Sequence, residues 1–293
     1  EYEVSSALWK IASIHACVQA VRDNVTFSLV SPIPAKSSPP VTAPPSAFSG
    51  PQENLCRDLG LVSGHHDHNY SAVKQFPNNL LRNVARRAAT SEYVIVIDVD
   101  MMPNENLRQD FILFAIQRGL FRKPHRYEKT VFVVPAFEAR DNVKLPLNKA
   151  QLLSLVETGE IRPFYSQLCW KCQAPTSYEA WQKEPPGAEM APLFDVLWKD
   201  PWEPFYIASN NVPFYDERFK QYGFNRISQV CELHVAGYTF SVLNNAFLVH
   251  RGFKTTTSFH PDKEKDQDHN RMLFRQFKAE LKVKYIDSTR RCY

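Results

Sequence analysis

Apolar residues follow two rhythms along this chain. Tyr93-Val94-Ile95-Val96-Ile97 is an unbroken apolar, largely β-branched run. A strand buried on both faces of an α/β sheet reads this way. Residues 130–135 form a second such run, and 204–208, 239–243 and 246–250 read as shorter strands. Between them the spacing turns helical over 7–21, 78–89, 104–118, 148–157, 224–236 and 268–285, with Phe274, Phe277 and Leu281 on the inward face of the last. Residues 25–30 read as a further strand after the first helix. Strands alternating with helices predict an α/β fold with helices on both faces of the sheet.

Two stretches break this rhythm. Residues 32–51 are rich in Pro, Ser and Ala and predict a surface loop. Residues 161–204 are aromatic and Pro-rich, hold four of the five tryptophans, and predict an ordered excursion forming one wall of a cleft. No internal repeat is present. With 293 residues, 44% of them hydrophobic, the chain is long enough to bury a sizeable core. A net charge of +4 is too small to imply nucleic acid. No segment approaches the roughly 20 apolar residues that span a bilayer. The chain begins at Glu1, so an anchor or signal upstream of it is compatible with the sequence. Six cysteines and two glycosylation sequons, Asn24-Val25-Thr26 and Asn69-Tyr70-Ser71, favour a secretory compartment.

The apolar run at 93–97 leads into Asp98-Val99-Asp100. Residues i and i+2 of a strand share a face, and a loop can also bring the two carboxylates together. Paired carboxylates at the end of an α/β strand suit a divalent metal, while solvated aspartates are the competing reading. Arg82-Asn83, with Asn79 one turn before, lies on the preceding helix. Either this is a solvated face, or Arg82 forks onto a phosphate or a carboxylate. Its spacing to Asp98 matches nucleotide-sugar transferases of the GT-A fold. His250 ends a strand, where a structural histidine is the alternative to a metal ligand. Lys254 can meet a diphosphate. Among carboxylates, Glu232 is preferred as a catalytic base, with Asp216 and Glu203 as alternatives. Cys169-x-x-Cys172 favours a disulfide over half a zinc site, and His65-His66-Asp67-His68 a solvated loop.

From Phe76 to Cys292 the chain resembles glycosyltransferase family 49. The resemblance rests on residues 76–83, Asp98-Val99-Asp100, 134–138, Asp200-Pro201-Trp202-Glu203-Pro204-Phe205-Tyr206, 221–229 and Phe259-His260-Pro261. It implies a GT-A-type fold with a mixed central sheet. Residues 76–293 would be the catalytic domain, with a donor half of about 76–160 and an acceptor half of about 161–293. It implies inverting transfer of glucuronic acid from UDP-glucuronate to β-xylose on O-mannosyl glycans of the α-dystroglycan type. Mn²⁺ would be held by Asp98, Asp100 and His250, and the donor by Asn79, Arg82, Asn83 and Lys254. The setting implied is the luminal side of the Golgi membrane, through an anchor absent from this chain, and a complex with another Golgi transferase is admitted. Residues 1–75 match faintly, and the strand that usually opens a donor site is not evident before Ala7. The expectation is impaired turnover, and the alternative is an inactive GT-A-fold domain that binds a glycan or a partner.

Overall fold

A computed structural model describes residues 2–30, 56, 76–124, 126–256 and 262–293. The chain divides into two compact units, Glu1–Asn69 and Tyr70–Tyr293. The described part of the first holds α1 (Tyr2–Cys17), α2 (Gln19–Asn24) and a Cys17–Cys56 disulfide. The single helix expected over 7–21 is therefore two, broken at Val18, whose backbone is extended. Residues 25–30 join no sheet among the described residues, and Val25, Phe27 and Leu29 are exposed. Their β-propensity finds no partner strand to pay the cost of ordering. The loop expected at 32–51 and the histidines at 65–68 lie outside the described residues.

The second unit begins with α3 (Asn78–Ala88), then β1 (Tyr93–Ile95), β2 (Met101–Pro103) and α4 (Leu107–Gln117). Next come β3 (Thr130–Val134), β4 (Ala136–Ala139), α5 (Lys149–Glu157), β5 (Ile161–Pro163), α6 (Tyr178–Lys183) and β6 (Ala191–Val196). It ends with β7 (Phe205–Ser209), α7 (Asn225–Val235), β8 (Thr239–Asn244), β9 (Leu248–Arg251) and α8 (Lys263–Lys284). Two mixed sheets result, ordered β1-β7-β3-β8-β6 and β2-β9-β4-β5. The parallel pair β3/β8 of the first sheet continues as the parallel pair β4/β9 of the second. Pro135 bends one of these strands, and its carbonyl accepts from the Leu248 amide at 2.9 Å.

Alternation along β3 fills two cores. Val131 and Val133 pack with Ile227, Val230 and Leu233 of α7 and with Phe274, Phe277 and Leu281 of α8. Phe132 and Val134 pack with Leu107, Phe111 and Phe114 of α4. The chain's apolar runs are thus buried on both faces, as a strand between helix layers must be. The run at 93–97 is the exception. β1 is a half-buried edge strand that ends at Ile95, short of the expected central strand carrying both aspartates. The Val96 carbonyl accepts from the Arg226 guanidinium, and the Asp98 carbonyl from the Met101 amide, in place of ladder bonds. Of the four tryptophans in 161–204, Trp181, Trp198 and Trp202 are core residues, and Trp170 is exposed. Among the described residues no helix is long and apolar enough to cross a membrane.

Candidate active site

The chain passes from the first sheet to the second through a turn at Asp98-Val99-Asp100, which leaves both carboxylates about half-exposed. They face different partners. Asp98 Oδ1 accepts from Arg226 at 2.7 Å and lies 3.4 Å from Arg82. Burial pushes Asp98 up, but the two guanidiniums outweigh it and hold the carboxyl below the usual range. Asp100 Oδ2 lies 2.9 Å from His250 Nε2 and 3.3 Å from Lys254 Nζ. The His250 bond, with Lys254 behind it, holds Asp100 well below the usual carboxylate range. The sheet register explains the first contact, because β2 pairs antiparallel with β9 and sets Met101 opposite His250.

Asn79, Asn83 and Arg86 form a buried polar seam on α3, at i, i+4 and i+7. Asn79 Nδ2 donates to the carbonyls of Asp216 and Asn225, and its Oδ1 accepts from Arg82 at 2.9 Å. Asn83 donates to the Tyr215 carbonyl and Glu217, and accepts from the Tyr215 amide. Arg86 donates to the carbonyls of Asn210, Val212 and Pro213. The two asparagines spend their amide groups on protein atoms, holding residues 210–225 against the helix. Arg82 is left between Asn225 Oδ1 and Asp98. Arg226 sits over the Phe205 ring at 4.3 Å and is 8% exposed. Sequence reasoning quoted Arg226 only inside a motif; its place at the start of a helix, after two positive-φ residues, carried no signal of the Asp98 contact.

Three further features surround His250. Its Nδ1 lies 2.7 Å from the Gly252 carbonyl, an acceptor only, so the proton on Nδ1 is assigned by that partner. Nε2 then faces Asp100 Oδ2 at 2.9 Å, so the two potential ligand atoms lie side by side. Two adjacent donors of an octahedral ion at ~2.1 Å stand roughly 3.0 Å apart, close to the separation seen. An imidazole beside a carboxylate suits a divalent ion. Among the described residues no group of three or more His, Cys, Asp or Glu side chains could hold a metal. Asp98 is turned onto the arginines, so the protein offers Asp100 and His250 as a pair. A hard cation that takes its other oxygens from substrate phosphates and water fits such a pair. Glu138, fully buried and opposite His250 in β4, accepts from Arg162 Nε at 2.5 Å and from the Lys254 amide at 3.1 Å.

The candidate bases separate by their partners. Glu232 is buried on α7 and accepts from Lys284 at 2.6 Å and the Tyr285 hydroxyl at 2.9 Å, against the terminal helix. Asp216 is ion-paired to Arg218, which also holds Glu280. Glu203 has no hydrogen bond or ion pair at its carboxylate among the described residues. Burial pushes it up to about 7, partly offset by Arg226 and Arg82. The same charges place it in the Asp98 cluster. Its backbone N–H donates a hydrogen bond of 3.0 Å to the Cys172 carbonyl, next to the Cys169–Cys172 disulfide. A cleft of about 370 Å³ between α8 and Arg291–Tyr293 contains none of these groups.

Residues 1–286 match the family model described as "Glycosyl-transferase for dystroglycan". This reaches well upstream of Phe76, where the resemblance in the sequence becomes clear. Over 217 residues, 74% of this chain, it is 54% identical to a bovine and 53% to a human β-1,4-glucuronyltransferase 1, covering 50% of each. It is 35% identical over 182 residues, 62% of the chain, to the chicken xylosyl- and glucuronyltransferase LARGE2s, covering 23% of that protein. The chain spans about half the length of the glucuronyltransferases it matches. The carboxylate and arginine clusters described here are carried by a chain that belongs to the family of glycosyltransferases for dystroglycan.

Proposed function

We propose that this chain carries the active site of an inverting glucuronyltransferase of GT-A type. Its donor is UDP-glucuronate, and its acceptor a β-xylose on an O-mannosyl glycan of dystroglycan. The observation that carries this reading is Asp100 held between His250 and Lys254, two residues from the Asp98–arginine cluster in which Glu203 stands uncommitted with a raised pKa. A divalent ion such as Mn²⁺, held by Asp100 and His250, would offset charge developing on the UDP leaving group. Lys254 adds a cation on that side. Glu203 takes the proton of the acceptor hydroxyl as its oxygen attacks the anomeric carbon. The bond from that carbon to the diphosphate breaks, and UDP leaves with the electron pair. Attack opposite the leaving group converts an α-linked donor into a β-linked product. Arg226 and Arg82 fix Asp98 and keep the Glu203 pocket positive, which limits how far burial raises its pKa. The three disulfides suit the oxidising Golgi lumen proposed as its setting.

The test is a donor screen against a neutral β-xyloside with Mn²⁺, alongside calorimetry with UDP. Transfer from UDP-glucuronate above other UDP-sugars is expected. No UDP binding and no transfer from any donor would favour a glycan-binding domain and sink the enzymatic reading.

A further inference from the structure

A second, open cleft of about 490 Å³ lies along β5, the edge strand of the second sheet. Trp170, 49% exposed, forms part of its wall. Large aromatic faces exposed beside polar groups bind the apolar faces of sugar rings. The side-chain amides of Gln167 and Gln182 also line it and have no hydrogen-bond partner among the described residues. They are available to ring hydroxyls.

The charge of the cleft is unbalanced. Arg162 is matched by Glu138 at 2.5 Å, and Glu179 by Lys183 at 2.6 Å. Arg140 has no carboxylate partner among the described residues. Its guanidinium lies over the Phe253 ring at 5.4 Å, on a ring that Arg162 also covers at 4.0 Å. The free charge of the cleft is thus one guanidinium, suited to a carboxylate or phosphate.

Two links tie the cleft to the reaction centre. Trp170 lies inside the loop closed by Cys169–Cys172, whose Cys172 carbonyl holds the Glu203 amide. Glu138 bridges Arg162 to the Lys254 amide. The base contacts the acceptor, so a wall shared with the base belongs to the acceptor side. We infer that this cleft is a subsite for an anionic extension of the acceptor glycan, with a sugar stacked on Trp170 and its acidic group on Arg140. The inference rests on the glucuronyltransferase reading for its substrate, but not for its binding test.

Two acceptors separate the outcomes: a neutral β-xyloside, and the same xyloside carrying a sugar phosphate on its reducing side. Trp170→Ala and Arg140→Gln are both surface changes. Each is expected to raise KM for the anionic acceptor about tenfold. KM for the neutral xyloside and for UDP-glucuronate, and kcat, should stay unchanged. An equal rise for both acceptors, or no rise, overturns the subsite. A rise confined to UDP-glucuronate overturns it too, and assigns the cleft to the donor's carboxylate. Calorimetry with the anionic xyloside on wild type and both variants reads the same site without turnover. Binding lost in the variants supports the cleft even where no donor is transferred, and binding unchanged in both overturns it.

Discussion

At the scale of single residues, partners decide between side chains of the same type. Glu232 is buried and Glu203 partly so, and the sequence favours Glu232 as the base. The Lys284 and Tyr285 contacts give Glu232 a structural task. Glu203→Gln should lower kcat by about 10²–10⁴, the usual contribution of a general base, with KM for UDP-glucuronate nearly unchanged. Wild-type kcat should fall as pH drops through about 7, because the base must be deprotonated and its pKa stands there. The variant should lose that limb. Glu232→Ala should keep the pH profile and unfold about 1–3 kcal/mol more readily, measured by denaturant titration. Full activity in Glu203→Gln would remove the base assignment. The aspartates divide similarly. Asp98→Asn leaves Arg226, buried at 8% exposure, without its carboxylate and should cost about 1–2 kcal/mol of stability, because Asp98 is half-exposed and water screens the pair. Asp100→Asn should fold normally and need far more Mn²⁺ for half-maximal transfer. Equal Mn²⁺ dependence in Asp100→Asn and wild type would exclude Asp100 as a ligand.

At the scale of elements, the site is a set of joints rather than a strand end. The β1–β2 turn presents the aspartates, β9 brings His250 beside them, and the seam on α3 holds residues 210–225 in place. Gly252 closes the β9 joint. Its φ of +87° is one that L side chains rarely adopt, and a Cβ there would meet Asp141 Oδ1 at 2.8 Å. Gly252→Ala should therefore cost at least ~1 kcal/mol of stability. It should also displace the carbonyl that holds His250 Nδ1, raising the Mn²⁺ requirement. A Tm and metal titration matching wild type would show that the turn tolerates the side chain. The helices were legible because their apolar spacing is local. The α3 seam was not, because Asn, Asn and Arg on one face look solvated until the loop that accepts their hydrogen bonds is in place.

At the largest scale, α7 runs through the interior of the second unit, with every side chain from Arg226 to Val235 buried. It connects the reaction cleft at Arg226 to the terminal helix at Glu232, and Cys231–Cys292 ties it to the C-terminal segment. Replacing both cysteines with alanine should cost about 2–5 kcal/mol in thermal unfolding, the range for a native disulfide. A loss of activity at temperatures where the variant is fully folded would show that the tie shapes the cleft directly.

The alternation of strands and helices, most helix spans and the family are legible along the chain, through motifs that lie close together in it. The sequence also marked the Asp98, Asp100, His250 and Lys254 neighbourhood, although the two aspartates sit on a turn and not on a strand. The pairings come from the three-dimensional fold. Asp98 went to Arg226, 128 residues away, and Asp100 to His250, 150 away. Glu203 remained the uncommitted carboxylate of the cluster among the described residues. A carboxylate's role follows from the charges and solvent around it, and those come from chain segments whose approach is set by sheet register and core packing. Local pattern carries the period of an element, but not which distant element will lie against it.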